Sequence, residues 1–263
     1  MNRLFLILFC FALASCRSNQ AVVRGEPIDT PIGKVYPAIE TLEESNRRLE
    51  LQRMGIEKRK AEFSAQNAKH RVSGHPTFES KSIQLPKSEY FGTDASKLRP
   101  VNLGLGMSIR LLLGEQIHVG DNDYTFRTAS RYILTVAGQE KARGESLNAQ
   151  CEEGVGSAQS QIFFNPATGE VLTQDETTGA GAQYRYIAFV PEQVGKERQI
   201  TPQTKWRTVY VELPDYTVIG SEGPHAGTVY GILNGKVYME MDGFHYAFPI
   251  EEFETTRLEF TVG

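Results

Sequence analysis

The rhythm of hydrophobic and polar positions changes several times along the chain, and each change marks a boundary. Residues 4–14 form an unbroken apolar run behind Arg3. At 1.5 Å per residue such a run reaches only about half of the ~30 Å hydrocarbon core. Residues 1–15 therefore predict a secretory signal peptide rather than a spanning helix. Residues 16–38 hold Gly25, Pro27, Pro31, Gly33 and Pro37 among few large apolar side chains, which predicts an extended tether.

Residues 39–73 predict a charged amphipathic helix. Thr41 and Glu44 have the spacing of a capping box, and Ser73-Gly74 followed by Pro76 supplies a stop. Glu40, Glu43 and Glu44 at the start and Lys69, His70 and Arg71 at the finish match the macrodipole. About thirty residues would make a rod of ~45 Å. Leu42, Leu49, Ile56 and Phe63 recur every seven residues as a narrow apolar seam. The companion heptad position holds Ile39, Asn46, Arg53 and Lys60, and Gly55 interrupts the middle. A self-standing coiled coil wants both positions apolar, so the pattern disfavours one. Two readings stay open: the seam covers part of the chain's own β-region, or it docks a partner protein.

Residues 74–100, punctuated by Pro76, Pro86 and Pro100, read as a second linker. From Val101 onward the period falls to two, and residues 101–263 predict a β-rich domain, either undivided or split into 101–203 and 204–263. Alternation marks strands at 117–119, 124–126, 130–137, 161–165, 170–174 and 183–190. Residues 120–123 and 166–169 read as hairpin turns, and the polar stretches 139–156 and 191–203 as surface loops. Further strands are expected at 207–213, 216–220, 228–233, 236–241, 244–248 and 256–262, with a helical turn at 249–254. Asn234-Gly235 and Asp242-Gly243 are primed-type hairpin turns. Short strands with a helical turn before the last resemble SH3-like small barrels. The fold class is thus mainly β with one long N-terminal helix, arranged as a β-sandwich or as small barrels.

Charge adds an asymmetry. Residues 17–100 hold 15 Lys and Arg against 11 Asp and Glu, while residues 101–263 hold 12 against 21. An acidic head repels phosphates, which argues against a nucleic-acid partner. No second apolar run approaches membrane-spanning length. Of three cysteines, Cys10 lies in the leader and Cys16 at its end, leaving Cys151 with no intramolecular disulfide partner.

Candidate chemistry is sparse. The five histidines, His70, His75, His118, His225 and His245, make no metal-ligand spacing, so no metal and no cofactor is expected. Asp121-Asn122-Asp123 lacks the remaining ligands of a calcium loop, and Gly104-Leu105-Gly106 lacks the third glycine of a dinucleotide loop. Glu152 and Glu153 beside Cys151 would raise a thiol pKa rather than activate it. Glu251, Glu252, Glu254 and Glu259 read as a solvated acidic face before they read as a glycosidase pair. No catalytic residue is assigned. Tyr230, Tyr238 and Tyr246 sit at strand positions and form a candidate ligand groove.

The ending Leu13-Ala14-Ser15-Cys16 resembles the lipobox of bacterial lipoproteins, a likeness confined to the leader. It implies cleavage before Cys16 and lipidation of that cysteine as the mature N-terminus. Arg17 and Ser18 lack the aspartate that retains such proteins at the inner membrane in enteric-type sorting, which implies the outer membrane, facing the periplasm. Several acyl chains would anchor the chain stably. The expected function is that of a non-enzymatic structural or accessory subunit of a cell-envelope assembly of secretion, conjugation or motility type. A peptidoglycan- or peptide-binding lipoprotein is the alternative, and a cell-wall hydrolase using acidic residues with His225 or His245 the third.

Overall fold

The computed structural model describes residues 28–30, 33–35, 42–74, 79–86, 94–118, 125–151, 159–177, 183–192, 199–214 and 227–255. It is mainly β with a single α-helix among the described residues, as the change of period predicts. The chain divides into two compact units, residues 1–55 and 56–263. In the first, β1 (Ile28–Thr30) and β2 (Gly33–Val35) form an antiparallel hairpin. The helix α1 (Leu42–Gln66) begins there and crosses the division at Gly55.

The second unit is built from three antiparallel sheets. One has the order β5 (Val101–Gly104), β6 (Met107–His118), β7 (Thr125–Val136), β8 (Gln139–Cys151). Another joins β3 (Arg71–Val72) to β13 (Thr228–Leu233), β14 (Lys236–Met241) and β15 (Phe244–Pro249), in the order β13-β14-β15-β3. The six-stranded sheet runs β16 (Glu254–Thr255), β12 (Trp206–Val211), β11 (Gln183–Pro191), β10 (Val171–Thr177), β9 (Gln159–Phe164), β4 (Lys81–Pro86).

Both faces of the six-stranded sheet are buried. On β9, Ile162 and Phe164 join one apolar cluster with Leu111, Tyr132 and Leu134 of the β5–β8 sheet. Phe163, between them, joins another with Val237, Met239 and Phe248 of the β13–β15 sheet. Alternate side chains of β10 and β11 divide the same way: Val171, Ile187 and Phe189 to the first cluster, Leu172, Tyr186 and Ala188 to the second. The six-stranded sheet is therefore the middle of three layers. Strands buried on both sides read as continuous apolar runs, which is how residues 186–190 and 162–164 look in the sequence.

Several boundaries differ from the sequence reading. Residues 81–86, placed in a linker, form edge strand β4, with Lys81 opposite Phe164 and Pro86 opposite Gln159. Residues 139–151, read as part of a polar loop, form the whole of β8, paired along β7 from Val136–Gln139 to Thr125–Cys151. The inward positions of β8 are Ala142, Gly144 and Ser146, so no hydrophobic alternation announces it. Gly144 has no room for more: an added Cβ would lie 2.7 Å from Ile187 Cγ2 and 3.3 Å from Phe189 Cζ.

The helix ends at Gln66 rather than near Val72. Asn67 folds its side chain back, Nδ2 donating to the Phe63 carbonyl at 3.0 Å, and a 3₁₀ turn over Ala68–His70 leads into β3. The SH3-like reading of the C-terminal strands is not realised, because β12 pairs with β11 and β16 and not with β13, and the sheets are open. The split at 203/204 likewise falls inside the six-stranded sheet.

The hairpin turns at Asn234-Gly235 and Asp242-Gly243 have positive φ at both residues, as primed turns require. The expected turn at 120–123 and the strands at 216–220 and 256–262 lie outside the described residues, as do 1–27.

Candidate functional site

The predicted seam is split by its surroundings. Phe63 is buried and meets Tyr246 edge-on at 5.5 Å between ring centroids, and Ile56 packs against the same cluster. Lys60 pairs with Asp242 at 3.2 Å. Those two seam positions thus serve the chain's own core. Leu49 is 54% exposed, and the side chain of Leu42 lies outside the described residues. Leu51 and Met54, 61% and 60% exposed, are apolar side chains the seam did not include. Three residues apart, they share one face of α1, and Arg47 and Lys58 continue that face at either end. A heptad search passes over them because they belong to no seven-residue repeat.

The tyrosine groove is also redistributed. Tyr246 is 1% exposed in the core, stacked on Phe248 at 5.7 Å. Tyr238 is opposite Ala247 in the β14–β15 register, on the sheet face away from that core. Tyr230 follows core-facing Val229, which is opposite Met239, so alternation puts it on the same face, just before a register shift that sets Gly231 opposite Tyr238. Its ring lies 6.2 Å from Tyr238 and 5.8 Å, nearly perpendicular, from His245. Burial, then the neighbouring Tyr238 and Glu240, push the Tyr230 phenol up to about 12. Burial and the Glu170 carboxylate raise Tyr238 as well. The patch is therefore Tyr230, Tyr238 and His245: half-buried, aromatic and neutral in its phenols across physiological pH.

Two buried carboxylates escaped the sequence reading. Asp175, 1% exposed on β10, accepts hydrogen bonds from the hydroxyls of Tyr132 and Ser146 and from Ser160 Oγ at 2.6 Å. Tyr132 is fully buried, and its pKa is raised well above the ordinary phenol by desolvation first and by Asp175 second. Glu170, 3% exposed, accepts from Gly235 N at 2.5 Å, Asn234 N at 2.7 Å and Thr168 Oγ1 at 2.6 Å. Asn165 adds a bond from Nδ2 to the Ile232 carbonyl at 2.9 Å. The 165–170 turn thus holds the β13–β14 hairpin by its tip. Neither carboxylate gives a sequence signal of burial, because Asp175 and Glu170 each take donors from residues far along the chain.

Each carboxylate accepts three hydrogen bonds from fixed hydroxyl or backbone donors, an arrangement that ties neighbouring layers together. Among the described residues no group of three or more His, Cys, Asp or Glu could hold a metal ion, and no helix is long and apolar enough to cross a membrane. Cys16 lies outside the described residues. No family model, curated protein or solved structure matches the chain.

Proposed function

We propose that the chain is an outer-membrane lipoprotein, anchored through Cys16, that serves as a structural or accessory subunit of a cell-envelope assembly. The observation that carries the subunit reading is the exposed apolar face of α1. Among the described residues five large hydrophobic side chains are exposed, and Leu49, Leu51 and Met54 of these lie on this helix. Exposed apolar groups clustered on one element mark interaction sites more often than singly scattered ones do. The leader supports the address, since its Leu-Ala-Ser-Cys ending has the lipobox pattern.

The test is site-specific photo-crosslinking at positions 51 and 54 in intact cells, with the partner identified by mass spectrometry. A discrete adduct that disappears with Leu51→Glu plus Met54→Glu is expected; only monomer at both positions would sink the reading. Metabolic labelling with a fatty acid, lost in Cys16→Ala, checks the anchor separately.

A peptidoglycan- or peptide-binding role has one specific observation in its favour, the clustering of Tyr230, Tyr238 and His245 on one sheet face. Clustered aromatic side chains with an apolar body and a polar tip offer contact area to sugar rings and extended peptides. Sedimentation of the full chain with purified sacculi, compared with Tyr230→Ala plus Tyr238→Ala, decides it: binding that survives the double substitution argues against this patch.

A further inference from the structure

The junction where α1 hands over to the sheet is built around a buried histidine. His70 closes the 3₁₀ turn Ala68–His70 and is 6% exposed. Its ring lies 5.3 Å from Phe248 and 5.4 Å, edge-on, from Phe253, and those two rings meet each other at 5.1 Å. The charged groups facing it are few. Glu252 Oε2, on the 3₁₀ turn Ile250–Glu252, is 3.4 Å from His70 Nε2, and the same oxygen is held by Lys69 Nζ at 2.6 Å. Lys69, on the histidine's own turn, and Lys236 of β14 both disfavour a positive ring.

We propose that His70 is an acid-sensitive latch that fastens the C-terminal end of α1 to the β13–β15 sheet and releases it when the imidazole is protonated. The ring is buried against two phenylalanines, and desolvation there disfavours its charged form. An imidazolium there would share one carboxylate with an ammonium already bound to it and would face a second ammonium. Fuller exposure to water is its alternative, and the opening proposed to supply it is the lifting of Ala68–His70 and β3 from β15. Strand β3 is short: Val72 pairs with His245 and Arg71 with Tyr246, and the Arg71 guanidinium lies 3.6 Å over the Phe244 ring.

Desolvation, with Lys69 and Lys236, outweighs Glu252 and sets the His70 pKa below that of an unfolded chain. The latch's contribution is therefore complete above the unfolded imidazole pKa and is lost as pH falls below it. Phe63 stays packed on Tyr246, so the release is local, at the exit of the helix.

Amide exchange measured by mass spectrometry on the full chain, corrected for the intrinsic rate at each pH, tests this. Between pH 7.5 and 5.0, protection of residues 67–72 should fall by at most about thirty-fold, a ceiling set by an unfolded imidazole pKa of ~6.5. Protection of β10 and β14 should hold over the same range. His70→Phe should make residues 67–72 insensitive to pH, and His70→Gln serves the same purpose if the larger ring prevents folding. Glu252→Gln, which removes the one favourable charge, should deepen the acid opening. An equal pH dependence in the His70 variants, a flat profile in the wild type, or a His70 resonance titrating above 6.5 would each overturn the latch.

Discussion

At the scale of single residues, the apolar interior of this protein is tied together at two buried carboxylates. Asp175 draws donors from β7, β8 and β9, so one side chain ties the β5–β8 sheet to the six-stranded sheet. Removing the phenol with Tyr132→Phe leaves a buried carboxylate short of one donor. A loss of about 1.5–3 kcal/mol is expected, because hydrogen bonds to charged acceptors are worth more than neutral ones. Urea denaturation reads it as a fall in midpoint with an unchanged slope. An effect below about 0.5 kcal/mol, the range of ordinary surface substitutions, would mean that Asp175 finds a replacement donor.

At the scale of elements, β8 is a strand whose inward side is made small so that its neighbours can be large. Gly144 faces Ile187 and Phe189, which are 1% and 0% exposed and have nowhere to retreat. Gly144→Ala should cost about 1–3 kcal/mol by overpacking. Combined with Ile187→Ala it should cost less than the sum of the two single changes, since each relieves the other. Thermal or urea unfolding of the four proteins completes that cycle, and simple additivity would deny the contact.

The same geometry explains what could be foreseen. Strand β14 alternates between apolar and polar positions, and it is flanked by turns at Asn234-Gly235 and Asp242-Gly243, so pattern and turn chemistry coincide there. Strand β8 is polar outside and tiny inside, and β4 offers only Ile83 and Leu85, so neither stands out from a loop. Turns at Leu105-Gly106 and Ala137-Gly138 adopt the same positive φ angles with a first residue that seldom does, and go unannounced. The helix was legible but its end was not: the run of helix-forming residues continues past Gln66, and burial of His70 among aromatic rings overrides it. Of the groove tyrosines, period two separates Tyr246 from Tyr238 by face. The register shift after Tyr230, which sets Gly231 opposite Tyr238, has no counterpart in the sequence.

At the scale of the whole molecule, the middle layer decides what can exist alone. Strand β12 lies between β11 and β16, and Val209 and Val211 pack into the cluster shared with β13–β15. Residues 204–263 therefore hold one layer and the edge of another, with the face of β13–β15 that Phe163, Leu172 and Ala188 cover left bare. Expressed separately, that fragment should show no cooperative thermal transition by circular dichroism. A sharp transition would restore the division at residue 203/204.

The six-stranded sheet also sets a clock. Its edge strand β4 waits for β9, with Pro86 meeting Gln159, and β16 meets β12 only when Glu254 is in place beside Val211. Folds dominated by such distant pairings mature in milliseconds to seconds, because loop closure is costly before any contact rewards it. For a chain whose proposed leader directs it out of the cytoplasm, slowness is an advantage. A polypeptide unable to complete its central layer until residues 254 and 255 have been made would stay threadable, as the proposed export requires.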